Sequence, residues 1–197
     1  MQTEIEVKFL DVDFDALRSK LIALGAVCEQ PMRHMRRAII EPPELEAKNA
    51  FVRVRDEGDK VTLTYKQFQE VSLTGAKEIE VVVSSFEDTI ALLDKAGLAS
   101  KSFQESRRET WRLDEVEVVL DEWPWLKPYI EIEGHDEQQV KDAASRLGFD
   151  WNMAVFGKVT EAYQRQYPDG DARKLVTIAN VAFDQPIPNI ISGQKDI

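Results

Sequence analysis

The most informative residues in this sequence are like-charged side chains spaced two apart. The spacing occurs in three carboxylate pairs and one guanidinium pair: Glu4 and Glu6, Glu78 and Glu80, Glu131 and Glu133, Arg53 and Arg55. Carboxylate oxygens are the ligands that hard cations such as Mg²⁺ and Mn²⁺ prefer, and a planar guanidinium group matches two phosphate oxygens at once. The two kinds of pair together indicate a site for a divalent cation bound to a polyphosphate.

The alternative interpretation of these pairs is a solvated sheet face. Side chains two apart in a strand point to the same face, and the polar face of an alternating strand usually meets water. Solvated faces favour Thr, Ser, Lys and Gln, however, and like charges at neighbouring positions repel unless opposite charges compensate them. If the sheet closes with this face inward, acidic and basic side chains share a cavity and require a ligand that contacts both.

The composition narrows the class of protein. Of the 197 residues, 25 are Lys or Arg and 36 are Asp or Glu, which gives a net charge of −11. We therefore expect no nucleic-acid partner and no membrane association, because both would favour a basic excess. The single cysteine, Cys28, and two histidines provide no zinc framework and favour a reducing, cytoplasmic location. No signal peptide, membrane span or glycine-rich phosphate loop is recognisable.

Three strand and helix units position the glutamate pairs. Each Glu-Ile-Glu string is followed by an amphipathic helix, predicted from Asp13 to Leu24, from near Ser84 to Gly97, and from Asp136 to Leu147. Two hairpins and a short strand complete a count of about eight strands, at Phe51 to Lys66, Arg107 to Leu120 and Arg36 to Ile40. This count predicts an α+β fold in which an antiparallel sheet closes into a barrel and the helices pack outside it.

The alternation also divides the strand residues between two faces. The positions between the charges are apolar and are predicted to form the core, among them Ile79, Val81, Val118 and Ile132. Only one of Arg36 and Arg37 can face the charged interior, since neighbouring strand residues point to opposite sides. The acidic loop of residues 41–46 is predicted to be solvated or to screen the barrel opening. Residues 168–197 are predicted to form a tail that packs on the domain or over its opening.

The ordered set of charged motifs resembles the CYTH family, the triphosphate tunnel metalloenzymes. The resemblance runs from residue 4 to about residue 167 and is carried by Glu4-x-Glu6-x-Lys8, Arg53-x-Arg55, Thr64-x-Lys66, Glu78-x-Glu80, Arg108, Asp121 and Glu131-x-Glu133. It implies an eight-stranded antiparallel tunnel over residues 1–167, which binds the triphosphate group of a small molecule together with Mg²⁺ or Mn²⁺.

The resemblance also implies roles for individual residues. The metal ligands that it implies are Glu4, Glu6, Asp121, Glu131 and Glu133. The triphosphate-binding residues that it implies are Lys8, Arg53, Arg55, Lys66, Arg108 and Lys158. The expected catalytic groups are Glu4, Glu6, Lys8, Glu78 and Glu80, of which the last two serve the metal, position Arg55 or Lys66, or hold water. Ser106 departs from the family pattern, because many members carry a basic residue two positions before the arginine that aligns with Arg108.

Three functions follow from this assignment. The first is a metal-dependent triphosphatase that removes the terminal phosphate of inorganic tripolyphosphate or an organic triphosphate. The second is a class IV adenylate cyclase, in which a ribose hydroxyl attacks the α-phosphate of ATP. The third is a module that binds polyphosphate or metal without turnover, against which the intact carboxylate set argues. We expect a monomer or a homodimer.

Overall fold

Eight of the nine strands in the described residues form one antiparallel barrel. The computed structural model describes residues 2–68 and 76–194, and side chains for residues 5–68 and 77–194. The strands are β1 (Gln2–Leu10), β2 (Val27–Ile40), β3 (Ala50–Asp56), β4 (Val61–Phe68), β5 (Ala76–Val83), β6 (Ser102–Leu113), β7 (Val116–Glu122), β8 (Tyr129–Gly134) and β9 (Asn180–Val181). The helices are α1 (Phe14–Ala23), α2 (Pro43–Glu46), α3 (Phe86–Lys95), α4 (Glu137–Leu147), α5 (Val159–Gln166) and α6 (Asn189–Ser192), with 3₁₀ helices at Trp151–Met153 and Ala172–Thr177.

Pairing between strands closes the sheet. The spatial order is β2-β3-β4-β5-β1-β8-β7-β6, and β2 also pairs with β6, so that each of these eight strands has a neighbour on both sides. Among the seams between these eight strands, the β1–β5 seam is the shortest in the described residues, with Gln2 to Glu4 paired against Ala76 to Glu78. The predicted α+β fold is confirmed as a twisted antiparallel barrel with helices outside it.

The helix boundaries follow from capping side chains. Asp13 accepts hydrogen bonds from the Asp15 and Ala16 amides at the start of α1, and Asp136 accepts one from Gln139 at the start of α4. α4 ends at Gly148, whose φ of 82° is a left-handed conformation that favours glycine. The cap of α3 is Ser85, one residue later than the sequence predicts.

Strand β2 is longer than predicted. It begins at Val27, whereas the sequence predicts a strand only from Arg36. Pro31, which has no N–H to donate to a ladder, interrupts the alternation there. The strand accommodates Pro31 by register shifts against β6 between Cys28 and Gln30 and between Gln30 and Arg33.

The hydrophobic core lies outside the barrel, between its apolar face and the helices. α1 and α4 cover β1, β6, β7 and β8, where Val118, Ile130 and Ile132 are fully buried. α3 covers a smaller cluster on β2 and β3. The predicted core positions on β5 are wrong, because Ile79 and Val81 are 52% and 51% exposed. Their strand lies beyond the helices that cover the two clusters.

The chain after α5 packs against the barrel. β9 pairs in parallel with the start of β6, and the Ser102 hydroxyl donates to the Ile178 carbonyl at 2.6 Å. Leu175, Val181 and Ile191 are buried in a cluster with Trp123 and Tyr163. No helix in the described part of the chain is long and apolar enough to cross a membrane.

Candidate active site

The inward-facing side chains of the barrel line a cavity of about 200 Å³. Ten of the residues predicted from the sequence lie on its wall: Glu6, Lys8, Arg53, Arg55, Lys66, Glu78, Arg108, Glu131, Glu133 and Lys158. Alternation brings nine of them together, because each strand directs every second side chain inward, and Lys158 comes from the start of α5. The charged face is thus the interior of the barrel.

The ammonium group of Lys8 is fully engaged by the protein. Its Nζ donates to Glu6 Oε1 at 2.9 Å and to the Gly157 carbonyl at 2.7 Å, and lies 3.4 Å from Glu131 Oε1. These three acceptors use the three hydrogens of an ammonium group. Burial alone would lower the pKa of Lys8, but the Glu6 and Glu131 carboxylates outweigh it and raise the pKa above its ordinary value. Lys8 is a charged link between β1 and the segment before α5.

Arg108 is fixed by two acidic side chains. Its Nε donates to Asp121 Oδ1 at 2.8 Å, and its terminal nitrogen donates to Asp121 Oδ2 and to Glu131 Oε2. Asp121 has no solvent exposure, and the Tyr129 hydroxyl donates to its Oδ2 at 3.3 Å. In this structure Asp121 therefore orients Arg108, although the sequence places it among the metal ligands.

The Glu131 carboxylate lies between two cations. Burial alone would raise its pKa, but the charges of Lys8 and then Arg108 outweigh burial and lower the pKa to about 2. The same competition lowers the pKa of Glu6, where burial is opposed by Lys8 and Lys66. Both carboxylates are therefore anionic at neutral pH.

Three guanidinium groups form the opposite wall of the cavity. Arg37, Arg53 and Arg55 each have a buried Nε–H that makes no hydrogen bond within the described residues. Burial, and next the positive charges of its neighbours, lower the pKa of Arg37 to about 9 and that of Arg55 to about 10. Buried donors are nearly always paired in folded proteins. This wall therefore has unpaired donors within the described residues, and positive charge that Glu57, 2.6 Å from Arg55, compensates only in part.

Arg37 is a site residue that the sequence leaves undecided. Its terminal nitrogen donates to the Ser106 hydroxyl at 2.7 Å, and its guanidinium carbon lies 4.2 Å from the centre of the Trp123 ring. Arg36 points outward and pairs with Asp56 and Glu87. Arg37 thus brings a positive charge to Ser106, the position where the family pattern has a basic residue. The long pairing of β2 with β6, which the sequence does not reveal, decides between the two arginines.

The predicted catalytic glutamates differ in their surroundings. Glu80 Oε2 accepts a hydrogen bond from Thr64 at 2.8 Å and lies 3.7 and 3.9 Å from Arg53 and Arg55. Glu78 Oε2 is buried and accepts no hydrogen bond in the described residues, although Lys66 Nζ is 3.6 Å away. The Glu4 side chain lies outside the described residues.

One end of the cavity is apolar and aromatic. Phe51 and Phe68 lie there with their ring centres 6.4 Å apart, and Lys158 Nζ lies 5.7 and 5.1 Å from those centres. Lys158 donates to Asn49 at 2.8 Å. Burial, opposed by Glu41, lowers the pKa of Lys158. Leu175 and Val176 from the tail also line the cavity.

The acidic wall has the donor chemistry of a site for a divalent cation. Glu6 pairs with Glu133 across β1 and β8, and Glu133 pairs with Glu117 across β8 and β7, so three carboxylates form one row. Directly opposed like charges repel unless a counter-charge compensates them. Within the described residues no three acidic, histidine or cysteine side chains converge on one point as a formed metal site. The acidic wall therefore fits a divalent cation in the type of its donor atoms and in their arrangement as a row.

Comparisons with known proteins agree on one family. The CYTH domain model matches residues 2–157. A protein from Pyrococcus horikoshii OT3 is 25% identical, with a TM-score of 0.66, and the match covers 77% of this chain and 93% of that chain. No match was found among the curated proteins.

Two more distant structures share the fold. A candidate adenylate cyclase from Vibrio parahaemolyticus has a TM-score of 0.71 at 11% identity, covering 82% of this chain and 97% of that chain. A candidate adenylyl cyclase from Hippeastrum, whose dominant activity is that of a triphosphatase, has a TM-score of 0.56 at 16% identity, covering 80% and 91%. The barrel, its two-signed lumen and the family model lead to one conclusion: this chain belongs to the CYTH domain family.

Proposed function

We propose that this protein hydrolyses the terminal phosphate of a triphosphate inside the barrel, with the help of a divalent cation. The observation that carries the proposal is the guanidinium wall, where Arg37, Arg53 and Arg55 each keep a buried donor without a partner among the described residues. Phosphate oxygens are acceptors that suit these donors, and their negative charge compensates the wall. The Hippeastrum relative, described as having a dominant triphosphatase activity, points in the same direction.

The opposite wall supports the cation in this proposal. Glu6 and Glu133, with Glu4 two residues before Glu6 on the same strand, would hold Mg²⁺ or Mn²⁺. A bound divalent cation would neutralise phosphate oxygens and increase the electrophilicity of the terminal phosphorus. In this arrangement Asp121 and Glu131 keep Arg108 directed at the phosphates.

The chain's own residues provide the remaining chemistry. Glu78 Oε2, buried and without a hydrogen bond in the described residues, would orient a water molecule and accept its proton. The water oxygen then bonds to the terminal phosphorus, the bond from that phosphorus to the bridging oxygen breaks, and the bridging oxygen leaves with the electron pair on the diphosphate. The guanidinium wall stabilises the charge that develops on this leaving group.

The test is a substrate panel with product identification by phosphorus NMR. Purified protein would be incubated with tripolyphosphate, thiamine triphosphate and ATP, each with Mg²⁺ and with Mn²⁺. We expect orthophosphate and a diphosphate as products. We also expect Glu6→Gln to lose activity, while the exposed Glu115→Gln serves as a matched control.

Other outcomes identify the alternatives. If ATP yields cyclic AMP and pyrophosphate, the protein is a cyclase and the proposal of hydrolysis is wrong. If calorimetry shows that tripolyphosphate binds and no product forms with either cation, the protein has a binding function without turnover. If the protein neither binds nor converts any of the three triphosphates, the proposal is wrong.

A further inference from the structure

Glu41 places a mostly buried carboxylate at the aromatic end of the cavity. It is only 7% exposed and lies on the cavity wall. Its Oε2 is 4.0 Å from the Lys101 ammonium, beyond hydrogen-bond distance, and it accepts no hydrogen bond in the described part of the chain. The prediction of a solvated loop is therefore wrong at its first residue, although Glu44 and Glu46 are exposed.

The position of Glu41 follows from strand alternation. Arg37, Ile39 and Glu41 are spaced two apart and all line the cavity, so Glu41 continues the inner face of β2. Ile40, the last residue of β2, pairs with Val52, which places Glu41 beside Phe51. Along this face, in the direction of Glu41, the lining of the cavity changes from three guanidinium groups to apolar and aromatic side chains.

A carboxylate at this position has a specific consequence for what binds. It repels phosphate oxygens unless a cation lies between them, and Glu41 is not part of the carboxylate row of Glu6, Glu133 and Glu117. The Glu41 carboxylate lines the cavity, so its oxygens can accept a hydrogen bond from a ligand that lies there. Lys158, which lies over the Phe51 and Phe68 rings, donates to Asn49. Lys101 pairs with Glu41 at 4.0 Å without a hydrogen bond, so the carboxylate keeps acceptor capacity for a ligand.

We propose that Glu41 selects the organic part of the substrate, a heterocycle that lies at the aromatic end of the cavity. Glu41 either accepts a hydrogen bond from an amino group on this heterocycle or pairs with its positive charge. This inference rests on the proposed function, because it takes the triphosphate to lie against the guanidinium wall. It makes an organic triphosphate, not inorganic tripolyphosphate, the preferred substrate. Glu41 is then the specificity-determining residue of the site.

The experiment measures binding by calorimetry, so that it does not depend on turnover. The probes are tripolyphosphate, thiamine triphosphate, ATP and ITP, in which a carbonyl replaces the amino group of ATP. We expect thiamine triphosphate or ATP to bind about tenfold or more tightly than ITP and tripolyphosphate, because a site built to accept a hydrogen bond rejects the ligand that lacks the donor.

Variants assign this preference to Glu41. Glu41→Gln removes the negative charge and leaves a weaker, neutral acceptor, so it is expected to reduce the preference. It is expected to leave the affinity for tripolyphosphate within about twofold, because tripolyphosphate does not reach this end. Glu44→Gln, in the same loop but exposed, is the matched control and is expected to keep the preference.

Each result has a distinct meaning. Equal binding of all four probes by the unmodified protein, or an equal loss for all four in Glu41→Gln, would overturn the role of Glu41 while the triphosphatase proposal stands. Failure to bind any triphosphate would overturn both. If Glu41→Gln does not fold, the comparison of ATP and thiamine triphosphate with ITP on the unmodified protein still decides the matter.

Discussion

Arg37 donates a hydrogen bond to the Ser106 hydroxyl at 2.7 Å across the β2–β6 seam. The guanidinium group is almost completely buried and lies among the charges of Arg53, Arg55 and Arg108. A neutral serine therefore supports a cation that belongs to a different strand. This arrangement maintains the positive wall of the lumen without a basic residue at position 106.

Arg37→Met is predicted to separate activity from stability. We expect the kcat/KM for a triphosphate to fall by about 100-fold or more, because one preorganised cation is lost from the transition state. We expect the free energy of unfolding to rise by about 1 kcal/mol, since a poorly compensated buried charge is removed.

Arg36→Met is the control for that experiment. Arg36 is the next residue, points outward and is about half exposed at its side chain. Its replacement is expected to leave kcat/KM within about threefold and stability within about 1 kcal/mol. Steady-state kinetics and denaturant titration measure both quantities. If Arg37→Met lowers the free energy of unfolding by more than the free energy that corresponds to its loss of kcat/KM, Arg37 is structural.

Lys8→Met is predicted to destabilise the fold strongly. The change leaves Glu6, Glu131 and the Gly157 carbonyl without their shared buried cation. Breaking a buried pair by removal of one partner typically costs about 3–5 kcal/mol. Lys95→Met, on the exposed end of α3, is expected to change stability by less than about 0.5 kcal/mol. Unfolding in urea at neutral pH measures both, and equal stabilities would contradict the assignment.

Glu109 is predicted to give the protein an acid-sensitive stability. Burial alone would raise its pKa, but the hydrogen bonds from Arg18 and Trp111 outweigh burial and lower the pKa below the ordinary value of 4.5. The unfolded chain then binds more protons than the folded protein, so this contribution is complete above pH 4.5 and is lost as the pH falls through the lowered pKa.

The test of Glu109 is a pH series of denaturant titrations. Glu109→Gln is expected to be less stable at pH 7 and to lose less stability on acidification below pH 4.5. The exposed Glu115→Gln is expected to follow the unmodified protein. Parallel profiles for Glu109→Gln and the unmodified protein would contradict the prediction.

Metal removal is predicted to abolish hydrolysis. Chelation should remove the activity, and Mg²⁺ or Mn²⁺ should restore it, since the carboxylate row of Glu6, Glu133 and Glu117 offers hard oxygen donors. Glu133→Gln is expected to weaken Mn²⁺ binding, followed by electron paramagnetic resonance, by about tenfold or more. Glu115→Gln should bind Mn²⁺ normally. Full activity in the presence of chelator would exclude the proposed role of the row.

The sequence predicts much of the lumen because alternation in strands is regular. Spacing alone places Arg53, Arg55 and Lys66 on one face of the sheet, and the resemblance to the CYTH family implies that this face is the interior. The structure brings the three residues to one cavity. The spacing of Arg36 and Arg37 could not decide which is inside, because the strand before them is interrupted at Pro31. The spacing also could not reveal that Ile79 and Val81 lack a covering helix. Glu41 was missed because an acidic loop is usually solvated.

The pairing of β1 has a consequence for how the protein is made. Its neighbours are β5 and β8, and Lys8 pairs with Glu131, which the ribosome adds long after β1 has emerged. Two backbone hydrogen bonds, both 2.9 Å, also join Lys8 to Val155. β1 therefore cannot complete its pairing in the barrel until β8 is made, and such non-local pairing makes folding slow. Until then one edge of β1 lacks its partner strand, and its alternating glutamates and lysine act as charged gatekeepers against association with other nascent chains.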